Sequence, residues 1–132
     1  MVKIPDKFAD LFSRDKRAFA FLALVKRDGT PQVTPIWFDY DGTHIIINTA
    51  RQRVKDKILS RHPQVALAIQ DPANPYRYIQ LRGKVVDETE VGGYDMICHL
   101  NEKYHGKYEY PQRPGEVRVT YKILPEQFNT MG

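Results

Sequence analysis

Two Asp-Gly pairs, Asp28-Gly29 and Asp41-Gly42, constrain this chain more than any other feature. They punctuate the segment AFAFLALVKRDGTPQVTPIWFDYDGTHIIINT and separate three runs rich in β-branched and aromatic residues. An Asp-Gly pair between such runs is a strong hairpin signal, because both residues tolerate the positive φ of a tight two-residue turn. The spacing predicts strands near 18–27, 31–40 and 43–49, joined as a meander. The first run is apolar almost throughout, so it is expected to be central and covered on both faces. Pro35 interrupts the second run and cannot donate a ladder hydrogen bond, so that strand should bulge or lie at an edge.

The remaining elements follow from period and punctuation. IPDKFADLFSRDK places Ile4, Phe8, Leu11 and Phe12 on one face of a short amphipathic helix. A helix at about 51–61 follows the third strand, with Val54 and Ile58 inward and His62-Pro63 as its stop. QVALAIQD reads as a buried strand, PANP as a turn, and YRYIQLRGKVVDE as a long strand. In that strand Tyr76, Tyr78, Gln80 and Arg82 alternate with Arg77, Ile79 and Leu81. EVGGYDMICHLNEKYHG has helical spacing, although Gly92 and Gly93 weaken its start. KYEYPQRPGE is a loop and VRVTYKILPEQFNT a final strand. Short antiparallel strands with few helices point to a mainly β fold, a barrel with flanking helices.

With 132 residues, 42% of them hydrophobic, the chain can bury a real core, and one globular domain over 1–132 is expected. No apolar stretch approaches the roughly 20 residues that span a bilayer. Pro5, Asp6 and Asp10 fall where an export signal needs its apolar core, and Cys98 is the single cysteine. Both features suit a cytoplasmic protein. The net charge of +4 permits anionic partners without identifying one.

Few constellations carry chemistry. His44, His62, His99 and His105 have no partners at metal-ligand spacing, so no metal site is expected. Cys98 lies in a helical pattern and reads as a buried, inert thiol. No nucleophile elbow, phosphate loop or dinucleotide fingerprint is present. One anomaly remains. The helix after Asn48-Thr49 opens with Arg51 and Arg53, although a helix start carries partial positive charge and favours acids. Arg51 with Lys55, and Arg53 with Lys57, are like-charge i, i+4 pairs. A phosphate or carboxylate at that position would relieve both conflicts. Near Pro35, the free backbone of Thr34, Pro35, Ile36 and Trp37 could address a flat heteroaromatic ligand.

Taken together, GTPQVTPIWFDYDG and the continuation I-x-I-N-T-A-R-x-R-x-K-x-K-x-L-x-R-x-P-x-V-A-L closely resemble the flavin/deazaflavin oxidoreductase superfamily. Its members share the antiparallel split β-barrel of the pyridoxamine 5′-phosphate oxidases. The likeness is clear from Phe19 to about Val86, and within the superfamily it is strongest to the branch that uses the deazaflavin coenzyme F-420. Relatives bind FMN, FAD or haem. The resemblance implies that Arg53 and Lys55 hold the cofactor phosphate, helped by Arg51 and Lys57. It implies that Gln32, Thr34, Pro35, Ile36 and Trp37 lie along the tricyclic ring, and that Asn48, Thr49 and Ala50 lie between ring and phosphate.

It further implies a homodimer with two cofactor sites at the interface, so that Tyr76, Tyr78 and Gln80 reach the partner's site. The implied reaction is hydride transfer to or from an unsaturated or conjugated small molecule. Its proton comes from Tyr78, another tyrosine or water. The cofactor does this chemistry, which accounts for the lack of a catalytic dyad. The pyridoxamine phosphate substrate is not carried over, because the chain ends soon after LPEQFNTMG. Coenzyme F-420, with a phosphodiester and an anionic glutamate tail, suits the basic surplus better than FMN, the alternative. A reading from another class is a basic barrel that binds single-stranded nucleic acid through Tyr76, Tyr78, Tyr104, Tyr108 and Tyr110. A third is a non-catalytic cofactor carrier or haem-handling relative, with His99 or His105 as its only candidate axial ligands.

Overall fold

The computed structural model describes residues 2–132. Seven strands form one antiparallel sheet: β1 (Ala20–Val25), β2 (Pro31–Ile36), β3 (Asp39–Tyr40), β4 (Ile45–Ala50), β5 (Gln64–Asp71), β6 (Asn74–Thr89) and β7 (Arg118–Met131). Their spatial order is β2-β1-β5-β6-β7-β4-β3, and the sheet curls into the half-barrel of the expected split-barrel class. Helices α1 (Val54–Leu59) and α2 (Gly93–His105) flank it. The N-terminal amphipathic segment is a 3-10 helix, Asp6–Phe12, which buries Phe8, Leu11 and Phe12. With Ile4 they join a core of alternate strand residues, among them Leu22, Leu24, Ile45, Ile47, Leu67, Ile69, Ile79, Leu81 and Ile123. Each fully buried aliphatic side chain contributes on the order of 1.5–3 kcal/mol.

Both Asp-Gly hairpins form. Asp28 Oδ1 accepts from Thr30 N at 2.9 Å and Gly29 takes φ +88° between β1 and β2. Asp41 Oδ1 accepts from Thr43 N and His44 N, and Gly42 takes φ +95° between β3 and β4. The meander does not form. The run at 31–40 breaks at Trp37-Phe38, and β2 ends one edge of the sheet while β3 ends the other. Pro31 and Pro35 remove two N–H donors from β2, which suits a strand paired on one side only. The crossing segment is pinned by α2: Lys103 Nζ donates to Phe38 O at 2.7 Å, and Phe38 N donates to Tyr104 Oη at 3.3 Å.

The full coverage expected for the first strand is also corrected. Ala20, Leu22 and Leu24 face the core, whereas Phe21 and Val25 face outward and are 37% and 55% exposed. Ladder register places Pro35, Phe21, Ala68, Gln80 and Asn129 in one row across the sheet. Val33, 65% exposed, and Met131, 53% exposed, add to this outer apolar surface. Exposed apolar side chains gathered on one face of a sheet are common at interaction surfaces.

Candidate functional site

The region after β4 differs from expectation in a useful way. The helix spans six residues, Val54–Leu59, so its dipole is slight, and Arg51–Arg53 form a turn before it. Gln52 takes φ +77°, and its N–H donates to Asp56 Oδ2 at 3.0 Å. Val54, expected inward, is 51% exposed, whereas Ile58 is buried as expected, together with Leu59. Asp56 is buried too, and Tyr121 Oη donates to its Oδ1 at 2.6 Å. Burial would raise the Asp56 pKa, but hydrogen bonds from Tyr121, Gln52 N and Arg51 hold it below the usual carboxylate range.

Arg51 belongs to this internal network. Its Nη1 meets Asp56 at 3.0 Å and Glu88 at 2.5 Å, and its Nε meets Glu90 at 2.8 Å. Three carboxylates therefore answer the cation that seemed to require an external anion. Lys57 is exposed and lies outside the cleft described next. Arg53 and Lys55 are the cations left over. Arg53 has a single ionic partner among the described residues, Glu116 at 3.6 Å, and its side chain is 48% exposed. Among the described residues Lys55 Nζ reaches only Thr34 Oγ1, at 3.5 Å. Burial first, then the neighbouring Arg53, lowers the Lys55 pKa. Two cations side by side that share one distant acid, one of them partly desolvated, form an anion-binding arrangement.

They stand at one end of an open cleft of about 270 Å³ whose walls come from β2, β4, α2 and the strand end at Arg118. Pro35, Ile36 and Trp37 form an apolar shelf, continued by Phe19, Ile97 and Leu100. The shelf is rigid: Trp37 stacks on Tyr104 with centroids 5.3 Å apart and planes 12° apart. Tyr104 is locked by donating to Ala18 O at 2.6 Å, and burial raises its pKa to about 12. Asn48 is fully engaged, with Nδ2 donating to Gly93 O at 2.9 Å and Thr120 Oγ1 at 3.1 Å. Thr49 is 3% exposed, lines the cleft, and its Oγ1 has no hydrogen-bond partner among the described residues. Gln32 Oε1, on β2, is also buried without one among them. Orphaned buried polar atoms in or beside a cleft are costly unless a ligand meets them.

Seven of the expected residues thus line one cleft: Pro35, Ile36, Trp37, Asn48, Thr49, Arg53 and Lys55. Thr34 adjoins it through Lys55, and Ala50 is buried in the β4–β7 ladder beside it. Tyr78 and Gln80 alternate with the core residues Ile79 and Leu81, and Tyr76 is 78% exposed at the start of β6. None of these three lines the cleft of its own chain. His99 lies mid-helix in α2, 3.7 Å from Asp95.

Phe19, Ile97, Leu100, Tyr110 and Arg118 line the cleft without having been singled out for it. Arg118 is brought there by register, opposite Ala50 in the β4–β7 ladder. Its sequence signal is slight: one cation at the start of an apolar strand. The cleft lies just below the ~300–1,000 Å³ usual for small-molecule sites and is open. Two larger recesses, about 360 Å³ under the N-terminal segment and about 380 Å³ beside Tyr94, hold no pair of cations. A flat aromatic ligand carrying an anionic group therefore fits this cleft best.

The fold has known relatives. A family model described as pyridoxamine 5′-phosphate oxidase matches residues 4–131. A solved structure named F420 reductase superposes with a TM-score of 0.83 and 31% identity, covering 96% of this chain and 98% of that one. A Listeria innocua protein named provisionally as a pyridoxamine 5′-phosphate oxidase gives 0.71 and 20%, with 95% of both chains covered. A conserved hypothetical protein from Mycobacterium tuberculosis gives 0.70 and 22%, covering 99% of this chain and 86% of that one. No curated protein matches by sequence.

Proposed function

The chain belongs to the pyridoxamine 5′-phosphate oxidase family of flavin and deazaflavin split barrels, and from that premise we propose that it is an oxidoreductase using coenzyme F-420. The observation that carries the reading is the pair Arg53–Lys55 beside an aromatic shelf, with Glu116 at 3.6 Å from Arg53 as its one ionic partner among the described residues and Lys55 partly desolvated. In this proposal Arg53 and Lys55 hold the cofactor phosphate, and Arg51, already saturated by carboxylates, takes no part. Pro35, Ile36 and Trp37 support the ring, Thr49 Oγ1 and Gln32 Oε1 gain partners from it, and Asn48 and Ala50 fix the strand end. Bound there, the cofactor supplies hydride exchange with an unsaturated or conjugated small molecule.

Tyr110 lines the cleft and its hydroxyl has no hydrogen-bond partner among the described residues, so it is placed to hold a proton in the same chain. Tyr76, Tyr78 and Gln80 act only if a second copy brings them to this cleft. The outer row of Phe21, Val25, Val33 and Met131 supports such a homodimer, which would close the open half-site. Nucleic-acid binding is disfavoured because Tyr104 is committed to stacking on Phe19 and Trp37, and Tyr110 to covering Arg118. No described helix is long and apolar enough to cross a membrane. The buried Cys98 suits the single-domain cytoplasmic enzyme proposed here.

FMN is the alternative cofactor. F-420 is preferred because Arg118 and Arg113 extend the basic surface past Arg53, and because a 31% identical structure carries the name F420 reductase. The test is anaerobic turnover of reduced F-420 with a panel of conjugated enones and quinones, followed by recovery of the oxidised deazaflavin's absorbance. Turnover of reduced FMN alone would move the assignment to the flavin, and turnover of neither would reject the enzymatic reading.

A further inference from the structure

Past Arg53 the cleft opens into a recess of about 160 Å³ lined by Arg53, Tyr110, Pro111, Arg113, Glu116 and Arg118. Arg53, Tyr110 and Arg118 border both spaces, whereas Lys55 faces only the cleft and Arg113 only the recess. Glu116 is the one acid of the recess and does not line the cleft. Its Oε1 accepts from Arg118 Nε at 3.1 Å, its Oε2 lies 3.6 Å from Arg53 Nη2, and its side chain is 8% exposed. Three guanidinium groups thus meet one carboxylate, a surplus of two positive charges.

Arg118 is the telling member. Its side chain is 5% exposed and its Nε is spent on Glu116. Nη1 has only a 3.5 Å contact with Asn48 Oδ1, and Nη2 has no hydrogen-bond partner among the described residues. One face of the guanidinium is covered by the Tyr110 ring at 4.8 Å. A guanidinium this enclosed, with donors to spare, is placed to meet an acceptor that enters the recess. The wall is built to stay: Tyr94 Oη donates to Tyr110 O and Asn101 Nδ2 to Glu109 O, both at 2.7 Å. These bonds tie the loop that carries Arg113 to α2.

We propose that this recess is a second anion site, which takes a carboxylate carried by a ligand beyond the group that Arg53 and Lys55 hold. A planar monoanion matches the fork of Arg118 and, placed beside Glu116, halves the surplus positive charge of the recess. The carboxylate comes either from the cofactor's side chain or from the substrate. The inference rests on the proposed cofactor reading only for what occupies the Arg53–Lys55 end.

The test uses Arg113→Gln, an exposed loop position, with Arg113→Lys as the conservative variant. Emission of Trp37, the chain's one tryptophan, follows titration with three probes: FMN (phosphate without carboxylate), F-420 (phosphate and carboxylates) and benzoate alone. Loss of one charge-assisted hydrogen bond should weaken F-420 about tenfold or more if the cofactor is the source, or benzoate by about that factor if the substrate is. FMN should hold within about twofold, and Arg113→Lys should recover most of the loss. Equal losses on all three probes, or none on F-420 and benzoate, would overturn the proposal. Failure of both F-420 and FMN to bind the unaltered protein would refute the cofactor reading instead, and the benzoate arm would still decide the recess.

Discussion

Replacing Lys55 with Met removes a charge while keeping most of the stem, so it separates binding from folding. In the free protein Lys55 contributes little: its nearest polar partner is 3.5 Å away, and burial beside Arg53 lowers its pKa. A lysine with a depressed folded pKa costs stability below its unfolded pKa, and that cost fades as pH rises above the folded one. Near neutral pH the Lys55→Met protein should therefore be at least as stable as the parent. With a phosphate bound, the same charge makes a charge-assisted hydrogen bond worth about 1.5–3 kcal/mol, roughly tenfold to 150-fold in affinity. The assay pairs thermal unfolding of the free protein with cofactor titration. Binding to the parent should also weaken as pH rises through the Lys55 pKa, and Lys55→Arg should abolish that dependence. A melting point lowered by more than about 3–5 °C, equivalent to ~1 kcal/mol, or an unchanged affinity, would refute the reasoning.

Three further outcomes follow from the same geometry. Asp56→Asn should cost about 2–4 kcal/mol in urea unfolding, since Tyr121 Oη, Gln52 N and Arg51 all converge on that carboxylate. Because its folded pKa is depressed, the stability Asp56 gives is full above the unfolded value near ~3.9 and is lost as pH falls through the folded value. The variant's acid slope should therefore be flatter. Gly93→Ala would set a Cβ 2.2 Å from Arg118 O, forcing α2 off β7. It should lower the melting point more than Gly92→Ala, which meets no atom within 4 Å but strains φ +71°. Tyr104→Phe should cost about 1–3 kcal/mol by stranding Ala18 O while leaving Trp37 emission unchanged. Tyr104→Ala should shift that emission to the red.

Much of this fold is written locally. The Asp-Gly turns, the alternation in β6 and the stripe Ile4, Phe8, Leu11, Phe12 each need only their own neighbourhood. What escapes the sequence is non-local. That β2 and β3 lie on opposite edges depends on β5, β6 and β7 entering between them. Arg51 looks free until Glu88 and Glu90, nearly forty residues away, close on it. Gly93 reads as a weak helix start, yet its missing side chain lets α2 abut Arg118 O. In the site, the shelf and the Arg53–Lys55 pair lie within one contiguous stretch and were legible. Arg118 and Tyr110 arrive through β-ladder register and a loop, which no spacing rule reports.

The account stands or falls on what the Arg53–Lys55 cleft binds. Side-by-side fluorescence titration of the purified, cofactor-free protein with F-420 and with FMN asks this directly. The account predicts saturable quenching of F-420 at one equivalent per chain, with FMN binding more weakly. No binding of either would contradict it.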